Sequence, residues 1–208
     1  MKLLEIPKVK SLVGSRCLIS IDREKNLFQK MGDVELKLDN IYNRMDDDFI
    51  PSDEYLPQDG VIVGLPLNVS GSLSQVKLGD RVLVHHFVPT RANMVKYEGQ
   101  ECYFFDFYRD FVSYITTNVY CVLNDDKGVK KMVDGWNFVK LRRYKEGFGE
   151  FEKEVIDEKW GELEYVNDDL GLDVGDNVSL NTVGLIRVFV DGEEKFLVHN
   201  SDVLLKVE

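Results

Sequence analysis

Side chains that could bind a metal ion or act as nucleophiles are scarce in this chain of 208 residues. They are the three histidines and the three cysteines, His85, His86, His199, Cys17, Cys102 and Cys121. Neighbouring strand residues point to opposite faces, so His85 and His86 are not expected to share a metal, and we interpret them as surface strand residues. Cys17 and Cys102 stand in apolar alternation, which favours buried thiols. The sequence therefore predicts a protein with no cofactor that is not an enzyme.

Acidic residues dominate the charge of the chain, which is −11 overall. Two segments account for the excess: residues 33–59 carry a net charge of −7 and residues 146–169 a net charge of −8, leaving +4 for the remainder. Such runs are typical of solvated loops. A nucleic-acid-binding protein would need a basic face to neutralise phosphates, so we expect no nucleic-acid partner. No phosphate-binding or hydrolase motif is present, so we expect no small-molecule substrate.

Three features bear on cellular location. No stretch approaches the roughly 18 apolar residues of a membrane helix. Residues 1–7 lack the apolar core and cleavage site of a signal peptide. The cysteines are odd in number and have no CxxC spacing, which is typical of a reducing compartment. We therefore expect a cytoplasmic protein that has no contact with membranes.

Three short patterns occur twice in the same order along the chain. They are an apolar alternation broken by a Gly-Asp turn, a strand pair around an acid-Gly turn, and a closing apolar strand. The matched stretches are residues 76–84 with 172–180, 96–104 with 189–197, and 109–115 with 201–207. Aromatic and β-branched residues fill the runs between turns, and no long amphipathic helix is evident. The repeat predicts an all-β chain made of two similar small barrels.

The junction between the two copies is predicted near residues 116–118. The first domain then covers residues 1–117 and contains the acidic loop at 33–59. The second covers residues 118–208 and contains the acidic loop at 146–169. Residues 119–123 and 129–133 are predicted to form a hairpin that leads into the second domain.

The ordered series of motifs resembles the GroES-type co-chaperonin family. The motifs VGDNV (174–178), VDGEE (190–194) and FLVHNSDVLL (196–205) are similar to the second half of that family's sequence. The similarity covers residues 172–207 and again residues 76–115. It implies two tandem GroES-like partly open β-barrels. It also implies a homo-oligomeric ring that caps a GroEL-type chaperonin and assists protein folding.

The resemblance also implies a docking loop in each barrel, which carries a short apolar motif that binds the chaperonin. In the first copy Phe49, Ile50 and Pro51 match this motif, although Asp48 stands where the family has an apolar residue. In the second copy only Val155 and Ile156 offer an apolar pair, within a glutamate-rich stretch. An alternative for Phe49 and Ile50 is that they attach the loop to their own barrel.

In the family, the N-terminal strand of one subunit pairs with the C-terminal strand of its neighbour. The matching residues here are Leu3, Leu4, Ile6, Val203, Leu204 and Leu205. An alternative function is a non-enzymatic structural or assembly protein, for example a viral protein acting in the host cytoplasm, which reuses the barrel as a building block. Fold and function are separable, so the sequence leaves both functions open.

Overall fold

The chain forms an all-β protein in a computed structural model, which confirms the predicted all-β class. The structure describes residues 4–6, 12–21, 28–31, 34–37, 58–111, 114–124, 128–147, 152–190 and 193–207. Strands make up 59% of the structure, and these described residues include no helix of seven or more residues. Within the same ranges, no helix is long and apolar enough to cross a membrane.

Two compact units divide the chain. The first consists of residues 1–134 with 189–193, and the second of residues 135–188 with 194–208. The first contains an eight-stranded sheet. Its strands, in order across the sheet, are Leu4–Ile6 (β1), Met94–Tyr97 (β7), Gln100–Asp106 (β8), Arg16–Ser20 (β2), Asp59–Gly64 (β5), Arg81–Val84 (β6), Val119–Leu123 (β11) and Val129–Met132 (β12). Two separate hairpins are Phe28–Met31 (β3) with Val34–Lys37 (β4), and Tyr108–Phe111 (β9) with Tyr114–Thr117 (β10).

The second sheet has six strands. In order across the sheet they are Ile186–Val190 (β16), Glu193–His199 (β17), Trp136–Glu146 (β13), Lys153–Tyr165 (β14), Asn177–Leu180 (β15) and Val203–Val207 (β18). The described strands form no closed barrel. The first sheet ends at β1 and β12, and the second ends at β16 and β18.

Six strands of the first sheet follow the same order as the six strands of the second. The order β7-β8-β2-β5-β6-β11 corresponds to β16-β17-β13-β14-β15-β18, strand for strand along the chain. The additional strands of the first unit are β1, β12 and the two hairpins β3–β4 and β9–β10. The two units therefore share one six-stranded plan.

The Gly-Asp turn before β6 is held by a specific set of hydrogen bonds. The Gly79 amide donates to the Ile62 carbonyl (2.9 Å), and the Asp80 amide donates to the Lys77 carbonyl (3.1 Å). The Lys77 amide in turn donates to Asp80 Oδ2 at 2.8 Å. Gly79 has a φ of +85°, a conformation that glycine adopts without a steric cost.

The turn before β15 repeats this set. The Gly175 amide donates to the Leu163 carbonyl (2.8 Å), and the Asp176 amide donates to the Asp173 carbonyl (3.1 Å). The Asp173 amide donates to Asp176 Oδ2 at 3.1 Å, and Gly175 has a φ of +92°. Because the same atoms are joined in both units, residues 59–64 correspond to 160–165 and residues 81–84 correspond to 177–180.

The hairpin of β11 and β12, predicted to lead into the second domain, belongs instead to the first sheet. Strand β11 pairs with β6, with Val119 opposite Val84, as β18 pairs with β15 in the second unit. The third repeated pattern therefore matches residues 203–207 with 119–123, and not with 109–115, which contribute to the β9–β10 hairpin. The two compact units divide at residues 134/135, and residues 189–193 also belong to the first unit.

Each unit has its own apolar core. Strand β11 is buried at all five positions. In the first unit, β2 contributes Cys17 and Ile19 to the main cluster, while Leu18, on the other face, packs with Val95 and Cys102. A core cluster of the second unit contains Val139, Leu141, Leu163, Val178, Leu180 and Val198.

Candidate functional site

The residues predicted to dock on a chaperonin in the first copy, Phe49, Ile50 and Pro51, lie outside the described residues. The structure does describe both ends of the predicted acidic loop at 33–59. Strand β4 (Val34–Lys37) pairs with β3 near its start, and Asp59 begins β5 at its end. Part of the predicted loop is therefore paired strand.

The predicted second docking pair, Val155 and Ile156, lies in a strand and not in a loop. Strand β14 has 13 residues and occupies most of the segment 146–169. Ile156 is opposite Arg143 and packs against the core of the second unit. Val155 is opposite Tyr144, whose side chain is exposed. Of the two predicted anchors, Ile156 already has an intramolecular contact.

The far ends of β13 and β14 form a two-stranded ribbon. Residues 142–146 pair with residues 153–157, whereas the ladders to β17 and β15 are confined to the other ends of these strands. Exposed ion pairs bridge the ribbon: Arg143 with Glu154 (3.0 Å), Lys145 with Glu152 (3.2 Å) and Lys153 with Glu146 (3.4 Å). Basic side chains thus lie beside the acidic residues that the sequence suggested were a solvated loop.

The strands predicted to join subunits lie at sheet ends. Leu3 is outside the described residues, and Leu4 and Ile6 belong to β1, which pairs in parallel with β7 of the same chain. Val203, Leu204 and Leu205 lie in β18, which pairs with β15. Leu204 is 58% exposed and Leu205 is 55% exposed.

Strand β18 differs from its counterpart β11 in the pairing of its edges and in the burial of its side chains. Strand β11 is paired on both edges, with β6 and β12, and Cys121, which corresponds to Leu205, is fully buried. Strand β18 stands last in the order of its sheet, after β15. Because unpaired sheet edges readily pair with other strands, β18 is a candidate edge for a strand from another molecule.

The adjacent histidines are not the surface strand residues that the sequence predicted. His85 follows the end of β6 and is only 4% exposed, because its position in a turn releases it from strand alternation. Its Nδ1 accepts a hydrogen bond from the Phe87 amide (3.2 Å), and its ring lies 3.9 Å, centroid to centroid, from that of His86. In the ranges that the structure describes, no group of three His, Cys, Asp or Glu residues is arranged to hold a metal ion.

All three cysteines are buried and unpaired. Burial raises the pKa of Cys17 to about 12, with a further contribution from the nearby Asp106 carboxylate. Burial also raises the pKa of Cys102 and of Cys121. The thiolate is the reactive form, so these side chains are poor nucleophiles at neutral pH.

We expect the native protein to react with a chromogenic disulfide reagent at neutral pH far more slowly than a free thiol does, because few thiolates form and access is blocked. In denaturant, all three thiols should react at once. A thiol that reacts rapidly in the native protein would contradict the burial assigned to it. Single Cys→Ser variants would identify which thiol is responsible.

An exposed tryptophan in β14 was not singled out by the sequence analysis. Trp160 is 37% exposed and lines a cavity of about 480 Å³ on the outer face of the second sheet. Its counterpart in the first unit is Asp59, so aligning the repeats through the two Gly-Asp turns would have revealed the difference.

Comparison of the chain with protein-family models and with curated proteins found no match.

Proposed function

We propose that this protein is a non-enzymatic, ring-forming cap that docks on a GroEL-type chaperonin and assists protein folding. The proposal takes its function from the resemblance to GroES-type co-chaperonins. The observation that supports it most is the six-stranded plan shared by the two units, with the same hydrogen bonds at both Gly-Asp turns. On this proposal each unit is a GroES-like, partly open barrel.

Assembly into a ring requires sheet edges that pair between subunits. Strand β18 ends its sheet and exposes Leu204 and Leu205, and β1 ends the other sheet. Pairing β1 of one subunit with β18 of the next would cover both ends. It would also remove two leucines from water.

Docking on the chaperonin is assigned to the first copy. Full burial of Phe49 and Ile50 would contribute about 1.5–3 kcal/mol each. Ordering the chain around them would cost about 1–2 kcal/mol per residue fixed. A single docking segment therefore binds weakly, and a ring that presents many copies at once provides the affinity.

The test is light scattering on the purified chain, alone and with a GroEL-type chaperonin and ATP. We expect a closed ring that co-migrates with the chaperonin only when nucleotide is present. The variant Phe49→Ser/Ile50→Ser should keep the ring mass and lose the co-migration. A matched control is Leu67→Ser/Leu78→Ser, which alters two other exposed apolar side chains and should behave like the wild type.

Two results would refute the cap. One is a chain that stays monomeric at all concentrations, and the other is an oligomer that ignores the chaperonin with and without nucleotide. The second result would favour a structural or assembly protein. The paired ribbon of β13 and β14 favours that alternative, because it places ion-paired strand where a docking loop was predicted.

A further inference from the structure

The outer face of the second sheet contains a half-open cavity of about 480 Å³. It lies where β13, β14, β15 and β18 are adjacent, and its lining combines basic, aromatic and aliphatic side chains. The lining residues are Lys140, Leu141, Arg142, Arg143, Trp160, Gly161, Glu162, Asn177, Val178 and Val207. A volume of this size is within the range of sites that bind small molecules or peptide side chains.

The cavity marks a point at which the two units differ. In the first unit the equivalent positions hold Asp59 and Arg81, and Arg81 Nε and Nη2 donate to Asp59 Oδ2 at 2.9 and 2.5 Å. In the second unit these two positions hold Trp160 and Asn177. The ion pair is thus replaced by an exposed indole and an amide.

The strand register places the key side chains together. Lys140 is opposite Glu162, and Glu162 is opposite Asn177 on the next strand. Asn177 is opposite Val207 at the end of β18. Because side chains at opposed positions share a face, these residues form one row across the outer face. Trp160 lies in the neighbouring row, two residues before Glu162.

Among the described residues, several of the side chains that line the cavity have no partner. Within the described part of the chain, no hydrogen bond or ion pair is made by the side-chain ammonium of Lys140, the guanidinium of Arg142 or the indole N–H of Trp160. Arg143, which also lines the cavity, is instead held by Glu154 (3.0 Å) and Glu194 (3.9 Å). The cavity therefore presents an ammonium, a guanidinium and an indole donor beside the apolar side chain of Val207.

We propose that this cavity binds an extended acidic segment of a partner protein. A carboxylate of the segment would accept from Arg142 and Lys140, and an apolar side chain beside it would pack on Trp160 and Val207. Guanidinium groups suit carboxylates because two parallel hydrogen bonds form. Trp and Arg are the residues most often found as strong anchors at interfaces.

Charge favours a peptide over a nucleic acid as the occupant. The whole chain has a net charge of −11, which would repel a long polyanion. The cavity presents its positive groups over a short distance, and Glu162 is the single acidic residue of its lining. A short segment that alternates acidic and apolar side chains matches both features.

The experiment measures binding of a fluorescein-labelled synthetic peptide of alternating glutamate and phenylalanine by fluorescence anisotropy, using the full chain. We expect saturable binding that weakens as salt is raised, because charged contacts carry part of it. The same peptide with glutamine in place of glutamate should bind roughly tenfold more weakly or worse. The variants Lys140→Gln/Arg142→Gln and Trp160→Ala should each raise the Kd about tenfold.

A matched control is Lys145→Gln/Lys153→Gln. It removes the same charge from β13 and β14 at positions outside the cavity lining. The Kd should stay within about twofold of the wild type, because both side chains are exposed. Circular dichroism checks that every variant remains folded. Trp160→Phe offers a milder change that keeps an aromatic ring and should retain part of the affinity.

Three outcomes would overturn the proposal. They are no binding to the wild type at any accessible concentration, equal binding of the glutamine peptide, or equal Kd values for the cavity variants and the control. Tight binding of a single-stranded oligonucleotide that the cavity variants abolish would also overturn it, in favour of a nucleic-acid site. None of these outcomes depends on whether the protein docks on a chaperonin.

Discussion

Asp59→Ala should lower the free energy of unfolding by about 3 kcal/mol, because it removes the carboxylate that accepts two hydrogen bonds from the largely buried Arg81 guanidinium. The two side chains are only 13% and 12% exposed, and Asp59 Oδ2 accepts from both Arg81 Nε and Arg81 Nη2. The pair joins the first residues of β5 and β6 across the outer face of the first sheet. Its loss should loosen the strands next to the Gly79–Asp80 turn before it affects β7 and β8.

Urea unfolding followed by circular dichroism measures this loss, and hydrogen exchange locates it within the first sheet. A matched control is Glu152→Ala, which breaks the exposed ion pair with Lys145 and should cost less than about 1 kcal/mol. The double variant Asp59→Ala/Arg81→Met should recover part of the loss, since an apolar side chain tolerates this site better than a largely buried guanidinium that has lost this carboxylate. Equal effects of Asp59→Ala and Glu152→Ala would show that the buried pair has no special role.

The all-β class followed from local patterns that do not depend on distant residues. Alternating apolar residues and Gly-Asp turns are short-range signals, and a strand begins directly after each turn, β6 at Arg81 and β15 at Asn177. The repeat was also visible, because the hydrogen bonds of the two turns need glycine and aspartate at fixed positions. Gly79 and Gly175 both require a positive φ, and the aspartates cap the turns with their side chains.

The membership of strands in sheets was not visible in the sequence. Strand β11 is an apolar run, VYCVL, whose partner β6 lies more than thirty residues earlier, so nothing local assigns it to the first sheet. The acidic composition of β14 favoured a loop in the sequence analysis. The basic residues that balance its charge, Arg143 and Lys145, lie on β13, on the other side of the hairpin, and are not part of the acidic segment. Charged strands are recognised only when both partners are considered together.

The sequence indicated some residues of the candidate site and not others. Val203, Leu204 and Leu205, which were predicted as a subunit strand, lie in β18, and the sequence could not show that β18 stands at the end of its sheet. The cavity beside Trp160 was missed because a tryptophan among glutamates has no local signature. Its significance appears only when Trp160 is aligned with Asp59 and Asn177 with Arg81.

If β18 joins subunits, Leu204→Glu/Leu205→Glu should convert the oligomer to monomers. Successive residues of a strand point to opposite faces, so one leucine on each face of β18 would be covered by a neighbouring strand. Each leucine is already about half buried, so the interface would contribute roughly 1 kcal/mol for each of them. Glutamate at either position would remove that contribution and add the cost of desolvating a carboxylate. The subunit Kd should rise by a hundredfold or more on these grounds.

Light scattering over a range of protein concentrations measures the effect. Val174→Glu/Val183→Glu is the matched control, since these valines are 66% and 90% exposed in the same unit but lie outside its strands. The control should keep the wild-type mass, because its added charges face water. If both double variants dissociate alike, general charge repulsion and not the β18 edge controls assembly. If neither double variant dissociates, the subunits join elsewhere, because burying two carboxylates between paired strands would cost enough free energy to separate them. The comparison with β11 supports the edge of β18 as the interface. Strand β11 is paired on both sides in the first unit, whereas its counterpart β18 ends the second sheet and has two exposed leucines.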